Sequence, residues 1–273
     1  MTWNPEPLAP VSPGSRSSLG DSAAAAPTGF PKREVLDRWL ADAGQQLDAL
    51  QTALYAEGKR AVLVVLQGRD GSGKDGTIRR VFGPLNPQGF SVTNFRAPTP
   101  VELAHDFLWR AHLAVPAKGT IGVFNRSHYE DVLVVRVRQL APESVWRPRY
   151  EQINQFERIL SQNGVTILKF FLHISRDEQR ERLLARLDDP AKYWKFSAGD
   201  LDDRNRWEEY NEAYGELLQR TSTEEAPWFL VPADKKHVRD VLVTATMLAA
   251  LGRLNPQYPG PPPEAAALRK ALG

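Results

Sequence analysis

The chain has 273 residues, and its 35 Lys and Arg nearly balance its 33 Asp and Glu, leaving a net charge of +2. That balance argues against a nucleic-acid coat or a polybasic membrane anchor, and the absence of cysteine excludes disulfides, thiolate metal sites and a cysteine nucleophile. No apolar run approaches the ~20 residues of a membrane span, and the N-terminus has neither a basic nor an apolar signal region, so the expectation is a cytoplasmic protein with no membrane and no nucleic-acid partner.

Residues 1–30 are rich in Pro, Ser, Ala and Gly and read as a disordered N-terminal tail. Leu36, Trp39, Leu40, Ala43, Leu47, Leu50 and Leu54 then recur at helical spacing. Ala61–Leu66 is a continuous aliphatic run of the kind buried on both faces in a parallel sheet, and similar runs return at 90–95, 120–125, 165–174 and 228–232. Helical patterns occupy roughly 74–83, 100–114, 148–162, 176–187, 203–221 and 235–251. Strands alternating with helices predict an α/β fold, three αβα layers around a mainly parallel sheet of about five strands. The domain spans 31–255. Its aperiodic polar stretch at about 188–203 predicts a mobile lid, and 256–273 reads as a flexible C-terminal tail.

Directly after the first strand comes Gly68-Arg69-Asp70-Gly71-Ser72-Gly73-Lys74, which fits G-x-x-x-x-G-K. Glycines in such a loop let backbone N–H groups converge on phosphate oxygens, the following helix adds its positive end, and Lys74 adds a mobile charge. The position after the lysine holds Asp75 where a metal-touching Ser or Thr is usual; Gly76 and Thr77 follow. Asp70 and Asp75 would repel phosphate unless a cation lay between, which predicts Mg²⁺. For Asp75 itself two readings stay open, a metal role or a helix N-terminal charge. The stretch from Glu57 to Arg138 holds 12 Lys and Arg against 7 Asp and Glu, so an anionic partner should meet this part of the chain.

A second constellation, Asn125-Arg126-Ser127-His128-Tyr129-Glu130-Asp131, follows the strand at 120–125. A neighbouring strand in P-loop enzymes commonly ends in a metal-associated aspartate. Here it ends in Asn125, with Glu130 and Asp131 as the nearest carboxylates. Arg126 lies at a strand terminus, where open α/β sheets bind ligands, and its planar fork suits phosphate.

Together with LNPQGF (85–90), DDPAKYWKFS (188–197), DRNRW (203–207) and APWFLVPADKKHVR (226–239), these motifs resemble the second polyphosphate kinase family, over about residues 33–254. The resemblance implies a P-loop kinase-like fold with a helical lid. It places Asp70, Gly71, Gly73, Lys74 and Gly76 on the phosphate loop, Arg126 on a second phosphate motif and Lys192, Tyr193 and Lys195 on the lid. It further implies partners in inorganic polyphosphate and nucleoside mono-, di- and triphosphates, and a homo-oligomer, dimer or tetramer. Many relatives carry Asp at the position of Asn125, and the NRSHYED variant resembles a subgroup acting on both mono- and diphosphates. On that basis Asp70 and Asp131 are expected to hold metal, with Glu130 completing the metal or acceptor site. Ser72, Thr77, Arg79 and Arg80 join the phosphate-binding candidates. Two rivals remain open: an ATP-dependent nucleotide or nucleoside kinase, and a non-catalytic polyphosphate or nucleotide sensor.

Overall fold

The computed structural model describes residues 3–273. Its five strands, β1 (Ala61–Gln67), β2 (Phe90–Asn94), β3 (Ile121–Asn125), β4 (Val165–His173) and β5 (Trp228–Pro232), are all parallel and lie in the order β2-β3-β1-β4-β5. Each falls within a residue of its predicted limits. The helices are α1 (Arg33–Glu57), α2 (Lys74–Thr77), α3 (Pro100–Leu103), α4 (Trp109–Ala114), α5 (Val134–Val137), α6 (Glu143–Trp146), α7 (Arg149–Gln162), α8 (Arg176–Leu187), α9 (Ala198–Asn205), α10 (Trp207–Thr221), α11 (Lys236–Leu254) and α12 (Ala265–Leu272).

Successive strand residues face opposite sides of a sheet, so β1, buried at every position, feeds two cores. Leu63 and Val65 join Phe124, Ile167, Phe171 and Trp228 beneath α7 and α10. Val62, Val64 and Leu66 join Val123, Phe170 and Val231 beneath α1 and α11. Truncating one of these, as in Leu63→Ala, would cost about 2–5 kcal/mol. The chain leaves β1 for the sheet's edge at β2, returns through β3, and crosses to β4 on the other side of β1. The C-terminal ends of β1 and β3 therefore flank the point where strand order reverses, the place where open α/β sheets take ligands.

The helices depart from the sequence expectation where local polar chemistry intervenes. The pattern at 74–83 stays α-helical only to Thr77 and widens into a π turn at Ile78–Phe82. The 100–114 helix breaks after Leu103, where the Asp106 carboxylate accepts the Leu108 N–H at 2.9 Å and forms a turn. The 203–221 helix is interrupted at Arg206, and the lid helix α9 begins at Ala198 with Ser197 and Asp200 as its capping box. Single-turn helices α5 and α6 are too short for periodicity to register.

Residues 3–30 correct the expectation of a free tail. Leu8 N–H donates to Thr246 Oγ1 (3.0 Å), Val11 N–H to Trp228 O (2.8 Å) and Gly14 N–H to Gln219 O (3.2 Å), and Ala24 O accepts from Asp234 N–H (3.2 Å). Leu19 and Ala24 are buried, and Trp3 packs edge-on against Phe30 and Trp39. Composition measures what a segment can bury by itself; this one orders by borrowing partners from α10, α11 and β5. Residues 1–2 of the expected tail lie outside the described residues. Beyond Pro256 the chain is exposed almost throughout, and α12 buries no residue. No helix among the described residues is long and apolar enough to cross a membrane.

Candidate phosphate-transfer site

The loop between β1 and α2 turns through three glycines at positive φ, Gly68 (153°), Gly71 (85°) and Gly73 (97°). Gly73 is constrained twice over, because a Cβ there would lie 1.8 Å from Arg239 Nη1 as well as strain the backbone. Lys74 opens α2 with its side chain folded back under the loop, Nζ donating to Gly68 O (2.6 Å) and Arg69 O (3.2 Å). It forms no ion pair among the described residues. Burial lowers its pKa to about 8, and the Arg126 charge pushes the same way against Asp70, Glu130 and Asp75. A buried cation with only carbonyl partners is a strong attractor for an anion.

Arg126 follows β3 with φ of 60°, in the left-handed region. Its N–H donates to Leu66 O at 3.0 Å, which ties the turn to β1. Such a conformation costs about 1–3 kcal/mol in a non-glycine residue, and here it accompanies a guanidinium held over the loop. Nη2 donates to Asp70 Oδ1 (2.5 Å) and Nη1 lies 3.5 Å from Glu130 Oε2. Burial would raise the Asp70 carboxyl, but Arg126 and Lys74 hold it below the usual range. Glu130, outweighing burial, keeps Arg126 charged.

Asp75 and Asn125, the two departures from the usual motifs, meet each other. Asn125 Nδ2 donates to Asp75 Oδ1 (3.0 Å) and to Asn94 Oδ1 (2.8 Å), where an aspartate would repel. Lys195, in the 188–203 segment, donates to Asp75 Oδ2 at 3.3 Å, so that segment touches the helix that follows the loop. Lid and loop also meet at Asp200, whose carboxyl is raised by burial and then by Asp70, while Arg186 Nη1 donates to it at 3.3 Å.

Lys74, Asp70, Arg126, Glu130, Asp75 and Lys195 are thus brought together, whereas Asp131, Arg79, Arg80, Thr77 and Lys192 pair elsewhere or stay exposed. Asp131, expected from the resemblance to hold metal with Asp70, gives its carboxylate to Arg149 (3.0 Å) and Arg110 (3.9 Å) instead. Arg80 lies in the π turn and pairs with Asp37 (2.5 Å) and Asp240 (3.5 Å), whereas Arg79 stays exposed. Thr77 Oγ1 donates to Asp240 Oδ1 (3.4 Å), away from the loop's concave side. Lys192 pairs with Asp189 beside it (2.6 Å). Tyr193 and Trp194 stand exposed on the lid, and His128 is fully buried among Phe124, Tyr129 and Phe156.

The sequence had offered no signal for Arg69, Asp200 and Arg186 as participants. Arg69 stacks 3.9 Å over Trp207 and donates to Asn211 Oδ1 (2.6 Å), joining the loop to the start of α10. Arg186 lies on α8, two residues before the 188–203 segment. Only its spacing from Arg182 hints at a shared helix face.

No group of three or more His, Asp or Glu able to hold a metal occurs among the described residues. Mg²⁺ commonly takes one or two protein carboxylates with substrate phosphates and water. Asp70, ionised beside the loop, fits that modest demand.

A glycine loop between a central parallel strand and a helix, a buried lysine at its end and an arginine facing it define a P-loop phosphotransferase. The sequence profile described as Polyphosphate kinase 2 (PPK2) matches residues 32–259, and the chain belongs to that family. It is 56% identical over 222 residues to the AMP/ADP-polyphosphate phosphotransferase of Meiothermus ruber, covering 81% of this chain and 83% of that one. It is 42% identical to the ADP-polyphosphate phosphotransferase of Rhodopseudomonas palustris, over 96% and 94%. The crystal structure of polyphosphate kinase 2 from Arthrobacter aurescens TC1 superposes with a TM-score of 0.88 at 40% identity, covering 98% of this chain and 99% of that one.

Proposed function

We propose that this enzyme transfers the terminal phosphoryl group of inorganic polyphosphate to nucleoside mono- and diphosphates, AMP and ADP foremost and GMP and GDP as further acceptors, reversibly and with Mg²⁺. The observation that carries this reading is Lys74, buried and without a carboxylate partner among the described residues, at the end of a glycine loop that Arg126 meets at Asp70. The activities for which the Meiothermus and Rhodopseudomonas relatives are named support the choice of donor and acceptors.

A nucleoside phosphate presents an oxygen that is already anionic, so the reaction asks for alignment and charge neutralisation rather than a general base. Lys74 exchanges the carbonyls of Gly68 and Arg69 for phosphate oxygens. Arg126 offsets charge on the group in flight, and Glu130 keeps that guanidinium in place from its other side. Mg²⁺, held by Asp70 and the substrates' own phosphates, would neutralise the remaining charge. Lys195 and the lid exclude water, which would otherwise accept the phosphoryl group. Assembly as a homodimer or tetramer belongs to the same reading, and light scattering on the purified protein tests it.

Supplying ADP with polyphosphate as the only donor tests the activity. ATP production supports it. Formation of ADP from ATP and AMP, with polyphosphate inert, would favour the ATP-dependent kinase, and tight binding with no turnover would favour a sensor.

A further inference from the structure

A loop that binds phosphate through its N–H groups must turn its carbonyls elsewhere, and each buried carbonyl needs a donor. From Gly68 to Gly73 every carbonyl has one. Lys74 Nζ takes those of Gly68 and Arg69, and Thr77 N–H takes that of Gly73 at 2.9 Å. The three between are held from outside the loop. Gln179 Nε2 donates to Asp70 O (2.9 Å), Arg182 Nη1 to Gly71 O (2.9 Å) and Ser72 O (3.1 Å), and Arg239 Nη1 to Ser72 O (3.1 Å).

Both arginines are themselves fixed. Arg182 Nη2 donates to Ala233 O (2.6 Å) and Asp234 O (2.8 Å) just beyond β5, and its Nε to Glu178 (2.9 Å). Arg239, 2% exposed, is anchored through Nε and Nη2 by Asp240 Oδ1 (2.8 and 2.7 Å). Because a peptide unit is planar, a held carbonyl fixes the N–H of the next residue. Gln179 therefore orients the Gly71 N–H, and Arg182 with Arg239 orients the Gly73 N–H. Neither N–H has a protein acceptor among the described residues.

We infer that Arg182 and Arg239, assisted by Gln179, are positioning residues for phosphoryl transfer: from behind the loop they aim its amides at the bound phosphate. Their charges also polarise the peptides they hold, which strengthens the N–H groups as donors. The inference rests on the proposed phosphate-binding role of the loop. It adds residues from α8 and α11 whose contacts with the loop are to its backbone carbonyls.

The test uses Arg182→Lys and Arg239→Lys, which keep the charge but lose the two-pronged grip, with Arg239→Met and Lys74→Met alongside. Tripolyphosphate is titrated into each full-length protein by calorimetry, with thermal melting and amide exchange of residues 69–76 as companions. Each Lys variant should bind tripolyphosphate about 10- to 100-fold more weakly, with faster exchange in the loop, a nearly unchanged melting temperature and partial retention relative to Arg239→Met. Wild-type affinity in Lys74→Met would defeat the phosphate-loop reading itself. Loss in Lys74→Met, with both Arg→Lys variants within twofold of wild type, would overturn the positioning role alone. Should an arginine variant fail to fold, Gln179→Leu removes one grip without removing a charge. It should weaken binding about three- to tenfold, and unchanged affinity there would likewise overturn the proposal.

Discussion

Lys169 and Lys74 are both buried against the same sheet, but their surroundings differ in kind. Lys169, in the middle of β4, spends its three ammonium protons on Glu157 Oε2 (2.5 Å), Thr221 O (2.6 Å) and Tyr129 Oη (2.9 Å). Trp228 and Tyr129 cover it, and its charge is cancelled by one carboxylate. Lys74 has two carbonyls of its own loop and no ion pair among the described residues, and the largest influence on its charge after burial is the repulsion of Arg126. One site is complete and holds α7, β4 and α10 to the turn that follows Arg126. The other has acceptors for two of its three ammonium protons, and on the proposed function its last partner is a bound phosphate. A buried charge that is matched marks architecture, and one left wanting marks function.

The comparison can be broken by giving both lysines the same substitution. Lys74→Met should lower kcat/KM for ATP formation from ADP and polyphosphate on the order of 10⁴-fold. Its melting temperature should hold or rise, since an uncompensated buried charge has been removed. Lys169→Met should do the reverse, leaving Glu157 buried and unpaired at a cost of about 3–5 kcal/mol in denaturant unfolding. Its KM values should stay near wild type, and a compensating Glu157→Gln change should recover part of the stability. Equal stability losses in the two Met variants would erase the distinction. The smallest effect is expected at the lid. Lys195→Ala removes a partly exposed ion pair worth about 0.2–1 kcal/mol, so stability should hold while hydrolysis of polyphosphate without acceptor rises a few-fold relative to transfer.

Much of this was legible in the sequence. β-branched runs with both faces apolar marked the strands, glycine spacing marked the loop, and the aperiodic stretch at 188–203 marked the segment that carries Lys195. Side-chain partners drawn from distant helices were not legible. Asp131 looked available until α7 and α4 supplied Arg149 and Arg110, and Arg80 looked cradle-bound, whereas it pairs with Asp37 of α1 and Asp240 of α11. Arg182 and Arg239 were invisible for another reason. Their partners are backbone carbonyls, which leave no residue signature, and nothing in the spacing of α8 or α11 announces them.

The most direct measurement of the central claim is the number of protons taken up when tripolyphosphate binds, from calorimetry at pH 8.5 in buffers of different ionisation enthalpy. With its pKa lowered by burial to about 8, Lys74 is largely neutral in the free enzyme at that pH and must be recharged to hold an anion. Wild type should therefore take up about three-quarters of a proton more than Lys74→Arg, whose guanidinium never loses its charge. The same proton count in both proteins would contradict the assignment of Lys74 as the buried cation that waits for phosphate.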